Sequence, residues 1–172
     1  MPITTNPARR RLRLAMIGGG QGAFIGAVHR MAARLDDRFE LVAGVFSSER
    51  QRNRLSAAEL GVEEERCYAD FSALLKEEAV REDGAEVIAI VTPNHLHFPA
   101  ALASLQAGFH VVCEKPMTLN VEEAEQLAQA AAQSARHFVL AHNYAGYPLV
   151  QHARALVQSG ALGKLRHVQV EY

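Results

Sequence analysis

The segment LRLAMIGGGQGAFIG, residues 12–26, decides the fold of this chain. An apolar run leads into a stretch with five glycines among nine residues, and a segment of helical period follows. In dinucleotide-binding βαβ units the first glycine makes a tight turn, the second lets the backbone approach a pyrophosphate, and a third small residue packs helix on strand. Gly18 and Gly20 occupy the first two places. The third is Ala23 by literal spacing, or Gly26 if the turn carries an insertion.

The start of the following helix is predicted to face an anion, because its unpaired N–H groups and macrodipole favour phosphate. A flexible structural turn is the alternative interpretation. The predicted cofactor-binding residues of this turn are Gly18, Gly20, Gln21, Gly22, Ala23, Phe24 and Ile25.

Short apolar runs alternate with segments of helical period along the whole chain, which is typical of parallel βαβ units. The predicted strands are residues 12–17, 39–46, 87–91, 110–113 and 138–142. The predicted helices are residues 23–35, 49–60, 71–78, 98–107, 121–134 and 149–159. The strands are continuously apolar, as in residues 87–91, so both faces of the sheet should be covered. The sequence therefore predicts a doubly wound α/β sheet of the Rossmann type.

The domain organisation follows from length and local composition. With 172 residues the chain is long enough for one domain. We expect a basic disordered tail over residues 1–11, a dinucleotide-binding domain over 12–145, and a connecting helix with the first strand of a truncated second α/β domain over 146–172. The arginines of the tail also permit a twin-arginine or transit signal, but five glycines interrupt the apolar stretch that follows.

Composition excludes several classes of protein. A hydrophobic share of 49% rules out intrinsic disorder, and a net charge of -1 gives no general electrostatic reason to bind nucleic acid. No window supplies the roughly 18 uninterrupted apolar residues of a membrane span. Two cysteines, Cys67 and Cys113, are too few for a disulfide framework and fit a reducing compartment. We therefore expect a cytoplasmic protein without nucleic-acid or membrane partners.

The end of the second strand bears on the choice between NAD and NADP. An acidic residue there would bind the ribose 2′-hydroxyl of NAD, but the strand end reads Phe46-Ser47-Ser48. Ser47, Ser48 and Arg50 could accept a 2′-phosphate, although Glu49 lies close by. The serines are equally good helix N-caps. The sequence slightly favours NADP.

Polar clusters follow three other strands, and in open α/β sheets ligands bind outside the carboxyl ends of strands. These clusters contribute Thr92, Pro93, Asn94 and His97, then Glu114 and Lys115, and finally Asn143. Residues 92–94 are equally consistent with a polar turn that caps the next helix. His95 and His97 invite a metal interpretation, but no third ligand stands at a recognisable spacing, so no metal is expected.

Lys115 is the candidate catalytic residue. Oxidation of an alcohol by hydride transfer needs a group that takes the hydroxyl proton, and a lysine does so if desolvation or a nearby cation lowers its pKa. Pro116 restricts Lys115 to an extended backbone, which helps to aim the side chain. From composition alone, an exposed loop lysine is the competing interpretation. Cys113 is expected to pack in the core because no base is placed beside it.

These residues together resemble a known family. Gly18-Gly19-Gly20 with Gly26-Ala27-Val28-His29, then Thr92-Pro93-Asn94 with His97, then Glu114-Lys115-Pro116, are similar to the glucose-fructose oxidoreductase, inositol dehydrogenase and MocA (Gfo/Idh/MocA) family. The resemblance covers nearly the whole chain from residue 12 onward, and Glu-Lys-Pro is its most specific mark.

The resemblance implies a nicotinamide-dependent oxidoreductase that acts on a hydroxyl or carbonyl of a sugar, cyclitol or related small molecule. By this resemblance, Lys115 takes the catalytic role and Glu114 contacts the cofactor. The residues that would line the cofactor are Thr92, Pro93, Asn94 and His97. Family members carry a second domain that completes the catalytic set, so this portion alone should turn over little. It implies a homo-oligomer for the full-length protein. The competing hypotheses are a non-catalytic dinucleotide-binding module or sensor and a fragment without a stable fold.

Overall fold

A computed structural model describes residues 10–171 of the chain. Strands and helices alternate along these residues, as the sequence predicts. The strands are β1 (Leu12–Gly18), β2 (Phe39–Val45), β3 (Val87–Val91), β4 (His110–Cys113) and β5 (Phe138–Leu140). The helices are α1 (Phe24–Leu35), α2 (Arg50–Leu60), α3 (Phe71–Glu78), α4 (His97–Gln106), α5 (Val121–Gln133) and α6 (Pro148–Gln158). Short 3-10 turns occupy Glu64–Arg66, Asn94–Leu96 and Asn143–Gly146.

The strands form one parallel sheet in the order β2-β1-β3-β4-β5. The chain first moves from β1 to β2 and then crosses to the other side of β1 to form β3. This reversal of strand order creates a topological switch point between the carboxyl ends of β1 and β3, where ligands bind in sheets of this kind. The predicted doubly wound α/β fold is confirmed.

The sheet lies between two apolar layers. All five residues of β3 are buried, and successive side chains of a strand point to opposite faces. Ile88 and Ile90 join the cluster that includes Leu74, Leu105 and Leu127 of α3, α4 and α5. Their neighbours along β3 join a second cluster, which includes Ala57 of α2 and is lined by residues of α1. Both faces of the central strands are covered, as predicted.

The structure differs from the sequence predictions at several element ends. Strand β5 ends at Leu140 rather than residue 142, and α4 begins one residue earlier than predicted, at His97. Residues 165–171 have no regular secondary structure, and Tyr172 lies outside the described residues. A strand needs the N–H and C=O groups of a neighbouring strand. Within the described residues, 165–171 have no such neighbour.

The beginning of the described chain is tied to the sheet domain. Residues 1–9 of the predicted tail lie outside the described residues. Arg10 donates to both carboxylate oxygens of Glu86, at 2.5 and 2.7 Å, and Arg11 lies 2.6 Å from Asp37. The hydrogen bond from Arg10 lowers the pKa of Glu86 to about 2. Arg10 and Arg11 are therefore held by ion pairs.

The described chain forms two compact units, divided between Leu140 and Ala141, somewhat before the boundary predicted after residue 145. The first unit contains the sheet and helices α1 to α5. In the second, Tyr144 and Tyr147 stack edge to face with ring centroids 5.3 Å apart, just before α6 begins.

A buried ion pair in the first unit joins the Glu64–Arg66 turn to the end of α3. The Arg66 guanidinium donates to both oxygens of the fully buried Glu78 carboxylate, at 3.0 and 2.5 Å. Tyr68 Oη and the Ala85 N–H donate to the same carboxylate at 2.8 and 2.7 Å. Burial raises the pKa of Glu78, but these hydrogen bonds lower it further, and the net pKa lies below the ordinary carboxyl value. The ionised Glu78 carboxylate therefore stabilises the folded state fully at a pH above the pKa that Glu78 has in the unfolded chain. This stabilisation is lost as the pH falls through the lower pKa of Glu78 in the folded state.

We expect Glu78→Ala to lower the free energy of unfolding by about 3 to 5 kcal/mol, because it removes the buried partner of the Arg66 guanidinium and leaves only the exposed Asp83 carboxylate, 3.5 Å away. Urea denaturation of the purified chain at neutral pH measures the change. Arg54→Ala serves as the control, because the Arg54–Glu64 pair is exposed and should contribute less than about 1 kcal/mol. Equal losses in the two variants would contradict a structural role for the buried pair.

Candidate functional site

The glycine-rich turn follows β1 at the switch point. Gly18 and Gly19 adopt left-handed φ angles of +89° and +75°, which residues with a Cβ atom rarely adopt. A Cβ on Gly18 would lie 2.8 Å from the carbonyl oxygen of Val91. The turn therefore depends on glycine because it passes directly over the end of β3.

Gly26 is the third small residue of the turn. It lies in α1, where an added Cβ would be 2.4 Å from Gly19 Cα and 2.5 Å from Gly19 O. Ala23, the other residue that the spacing allowed, is the N-cap of α1. The close contact of helix and turn thus selects Gly26 and implies an insertion in the glycine pattern.

Gly20 also meets a packing constraint at the end of β2. Its N–H donates to the carbonyl oxygen of Phe46 at 3.1 Å, and an added Cβ would lie only 2.6 Å from that oxygen. The neighbouring Gln21 N–H donates to Ser56 Oγ at 3.0 Å. These two N–H groups bind the turn to the end of β2 and to α2. At Gly22, an added Cβ would meet open space.

The N-terminus of α1 has no side-chain cap and no acidic residue in its first turn. By contrast, Glu49, Asp70 and Asn120 accept N–H hydrogen bonds at the starts of α2, α3 and α5. The first N–H groups of a helix have no partner within the helix. The start of α1 therefore leaves donors free for an external anion. The Phe24 side chain beside them is 81% exposed, whereas Ile25 packs on the core.

At the end of β2, Glu49 rather than Ser47 or Ser48 caps α2, so the N-cap alternative for the serines is wrong. The Glu49 carboxylate accepts the N–H groups of Arg52 and Gln51, each at 2.7 Å, and these hydrogen bonds lower its pKa. Ser47 Oγ accepts the Glu49 N–H at 3.1 Å. Arg50 is exposed at the first position of the helix. The carboxylate of Glu49 therefore lies just beyond the carboxyl end of β2.

Asn53 holds the strand end in place and was missed by the sequence analysis. Its side chain is 4% exposed, its Oδ1 accepts the Phe46 N–H at 2.6 Å, and its Nδ2 donates to Tyr68 O at 2.7 Å. An asparagine inside a polar helix gives no sequence signal for such a role, because its partners lie on other elements.

A cleft of about 470 Å³ opens at the carboxyl ends of β1, β2 and β3. It brings together five predicted cofactor residues: Gly18, Ser47, Ser48, Thr92 and Pro93. Asp70 and Phe71, at the start of α3, also line it and were not predicted. On the other side of the turn, a depression of about 350 Å³ is lined by Gly20, Gln21, Gly22, Ala23 and Phe24.

The segment after β3 contains one polar atom without a partner. Thr92 Oγ1 is buried and makes no hydrogen bond within residues 10–171. Pro93 and Asn94 are exposed. His97 is 1% exposed, and its ring nitrogens lie 2.6 Å from Pro116 O and 3.0 Å from Thr92 O. Contrary to expectation, His97 therefore links the turns after β3 and β4 and does not present a ring nitrogen to the cleft.

The Glu-Lys-Pro turn follows β4. The Glu114 N–H donates to Ile90 O at 3.0 Å and extends the β3–β4 pairing. One Glu114 carboxylate oxygen lies 2.9 Å from His29 Nε2, and the other accepts the Lys115 N–H at 3.1 Å. The Lys115 side chain is exposed, and the Lys115–Pro116 peptide is cis. His29 was not predicted as a site residue, because only the fold brings α1 against this turn.

Two other predicted residues can be placed. Cys113 is buried, and burial, followed by the nearby Glu114 charge, raises the pKa of its thiol to about 12. It is therefore a packing residue. Asn143 is exposed and begins the 3-10 turn of the second unit.

The described residues, 10–171, also bear on metal binding and membrane insertion. No group of three or more His, Cys, Asp or Glu side chains there could hold a metal ion. Over the same residues, no helix has both the length and the apolar character needed to cross a membrane.

Comparisons with known proteins agree with this geometry. The profile of an oxidoreductase family with an NAD-binding Rossmann fold matches residues 12–142. The uncharacterized oxidoreductase YfiI of Bacillus subtilis is 36% identical over 94% of this chain and 41% of its own length. Levoglucosan dehydrogenase of Pseudarthrobacter phenanthrenivorans is 30% identical over 91% of this chain and 39% of its own length.

A solved structure superimposes closely. The crystal structure of an inositol dehydrogenase homolog from Azotobacter vinelandii, complexed with NAD+, has a TM-score of 0.88 and is 43% identical. The match covers 91% of this chain and 40% of that protein, so the chain spans about two fifths of the length of these relatives. The chain belongs to the Gfo/Idh/MocA oxidoreductase family, described as having an NAD-binding Rossmann fold.

Proposed function

We propose that this chain is the cofactor-binding portion of a nicotinamide-dependent oxidoreductase that acts on a hydroxyl or carbonyl group of a sugar, cyclitol or related compound. The observation that carries the proposal is the uncapped N-terminus of α1, which stands beside a glycine turn at the topological switch point. Both the unpaired N–H groups and the helix dipole favour a pyrophosphate there. Relatives named levoglucosan dehydrogenase and D-glucoside 3-dehydrogenase support the substrate class.

The residues present fit a dinucleotide. The close contacts at Gly18 and Gly19 keep side chains away from the turn. Ser47, Ser48 and Asp70 provide polar groups for the adenosine ribose in the same cleft. Thr92 Oγ1, buried without a partner, supplies a hydrogen-bonding atom toward the end of β3. When bound, the nicotinamide supplies the hydride acceptor or donor.

Lys115 is the proposed acid–base residue. It follows β4 at the same edge of the sheet, and its exposed ammonium group is free to approach a substrate. In the direction of alcohol oxidation, Lys115 Nζ would take the hydroxyl proton. In the reverse direction it would return a proton to the carbonyl oxygen. Glu114 holds the backbone of Lys115 through the hydrogen bond to its N–H.

We propose NAD(H) rather than NADP(H) as the cofactor, although the sequence alone slightly favours NADP. Two carboxylates stand near the proposed ribose region: Glu49 at the start of α2, which the sequence already shows, and Asp70, which lines the cleft. Each would repel the charge of a 2′-phosphate, and a carboxylate at this edge suits a free 2′-hydroxyl. The NAD+ complex of the Azotobacter homolog also supports this choice.

A non-catalytic dinucleotide-binding module is the second candidate. One observation favours it: the Lys115 ammonium group makes no hydrogen bond or ion pair within residues 10–171. Catalytic acids and bases are usually tuned by charged neighbours. Cofactor binding without turnover in the complete protein would select this candidate.

We propose a cytoplasmic location and homo-oligomeric assembly for the complete protein. The free thiols of Cys67 and Cys113 fit a reducing compartment. The assembly rests on the family resemblance.

The proposed cofactor choice can be tested by binding. Calorimetric titration of the 172-residue chain should show binding of NAD+, with NADP+ at least about tenfold weaker because of repulsion by Glu49 and Asp70. Glu49→Gln removes one charge and keeps an oxygen that can cap α2. It should therefore reduce the ratio of the NADP+ to the NAD+ dissociation constant several-fold. Glu125→Gln, the same change at an exposed position of α5, is the control and should leave the ratio unchanged.

Two results would contradict these proposals. Tighter binding of NADP+ than of NAD+ would restore the phosphate-binding role of Ser47, Ser48 and Arg50. Absence of binding by a chain whose circular dichroism shows a folded α/β protein would remove the cofactor proposal itself.

The proposed role of Lys115 can be tested by substitution. In the complete protein, Lys115→Ala should lower kcat about 100- to 10,000-fold, which is the usual contribution of a positioned acid or base. Cofactor affinity should stay within about threefold, because the lysine acts on a proton and not on the pyrophosphate. Lys76→Ala, an exposed lysine in the last turn of α3, is the matched control. Comparable turnover in Lys115→Ala and Lys76→Ala would exclude Lys115 from the chemistry.

A further inference from the structure

One carboxylate connects helix α1 to the Glu-Lys-Pro turn. Glu114 Oε1 lies 2.9 Å from His29 Nε2, and Glu114 Oε2 accepts the Lys115 N–H at 3.1 Å. The side chains of His29 and Glu114 are only 16% and 12% exposed. Each oxygen of the Glu114 carboxylate therefore has a polar partner, and these two contacts restrict the position of its negative charge.

The next residue of α1 makes a parallel contact. Arg30 donates to Gly19 O at 2.7 Å and so braces the glycine turn. Consecutive residues of one helix thus hold two different segments of the site: Arg30 holds the turn proposed for the pyrophosphate, and His29 holds Glu114. The Arg30 contact thus belongs to the pyrophosphate half of the proposed site and the His29 contact to the nicotinamide half, so each can be tested without the other.

We propose that His29 is a positioning residue, which holds the Glu114 carboxylate at the nicotinamide end of the site so that its negative charge favours NAD+ over NADH. The inference rests on the proposed function, because it places the nicotinamide near the carboxyl end of β4. The oxidised nicotinamide ring carries a positive charge and the reduced ring is neutral. A carboxylate with restricted position and little solvent around it therefore binds the two forms unequally.

His29 acts through orientation and not through contact with the cofactor. A histidine Nε2–H that donates to Glu114 Oε1 leaves Oε2 directed to the Lys115 backbone. Without this donor, the carboxylate is free to rotate toward water, where its interaction with the ring is screened. A glutamine at position 29 has an amide N–H that can replace the histidine donor, whereas leucine has none.

The test measures dissociation constants of NAD+, NADH and ADP-ribose with the 172-residue chain. Four proteins are compared: the unchanged chain, Glu114→Gln, His29→Leu and His29→Gln. ADP-ribose lacks the nicotinamide ring, so it reports on the pyrophosphate and adenosine contacts alone. The decisive quantity is the NADH dissociation constant divided by that of NAD+.

We expect this ratio to fall about fivefold in Glu114→Gln and in His29→Leu, and to stay within about twofold of its original value in His29→Gln. Affinity for ADP-ribose should change less than about twofold in every variant, which also shows that the variants fold. If His29→Leu fails to fold, Glu114→Gln still measures the charge and a ratio that is kept in His29→Gln still supports the role of the donor.

Two outcomes overturn the inference while leaving the proposed function intact. A ratio unchanged in Glu114→Gln would show that the carboxylate does not act on the ring. Equal weakening of NAD+, NADH and ADP-ribose in His29→Leu and His29→Gln would give His29 a purely structural role. If the unchanged chain binds none of the three ligands, the proposed function fails and the inference fails with it.

Discussion

The contact between Gly19 and Gly26 is the constraint on which the site depends. The backbones approach so closely that a Cβ on Gly26 would lie 2.4 Å from Gly19 Cα. This contact sets the height of α1 above the sheet and directs its uncapped N-terminus over the end of β1. It also fixes the second turn of the helix, where Arg30 reaches back to Gly19 O and His29 reaches Glu114. One glycine pair therefore positions the groups proposed for both ends of the cofactor.

The topology of the sheet brings residues from distant parts of the sequence to the same site. Because β2, β1 and β3 pair in parallel, their carboxyl ends lie at the same edge of the sheet, and the placement of β3 on the side of β1 opposite β2 creates the switch point there. Residues as distant in sequence as Gly18, Ser47 and Thr92 thereby line a single cleft. The apolar layers on both faces hold the helices against these strands, and the buried Arg66–Glu78 pair joins the Glu64–Arg66 turn to the end of α3. The stability of the core and the geometry of the cleft thus rest on the same elements.

Much of the fold could be predicted from the sequence because the decisive signals are local. Apolar runs such as residues 87–91 and the glycine turn predict strands and their connection without knowledge of neighbours. The missed residues act through distant partners: Asn53 through the end of β2, Asp70 through the cleft, and His29 through Glu114. The local sequence around Asn53 and Asp70 does not indicate these contacts. His29 belongs to the segment that carries the family resemblance, but its contact with Glu114 depends on the fold. The first strand of the second domain, predicted within residues 146–172, likewise requires a pairing partner that local hydropathy cannot supply.

The described residues organise a cofactor more completely than they organise a proton transfer. The turn, the start of α1 and the cleft contain free donors and exclude side chains where a dinucleotide would lie. The Lys115 backbone is held by Glu114, but its ammonium group makes no hydrogen bond or ion pair within residues 10–171. Catalytic acids and bases are usually tuned by charged neighbours. The positively charged ring of a bound oxidised nicotinamide would be such a neighbour for Lys115. Cofactor binding would then be a precondition for the chemistry of Lys115 as well as the source of the hydride acceptor.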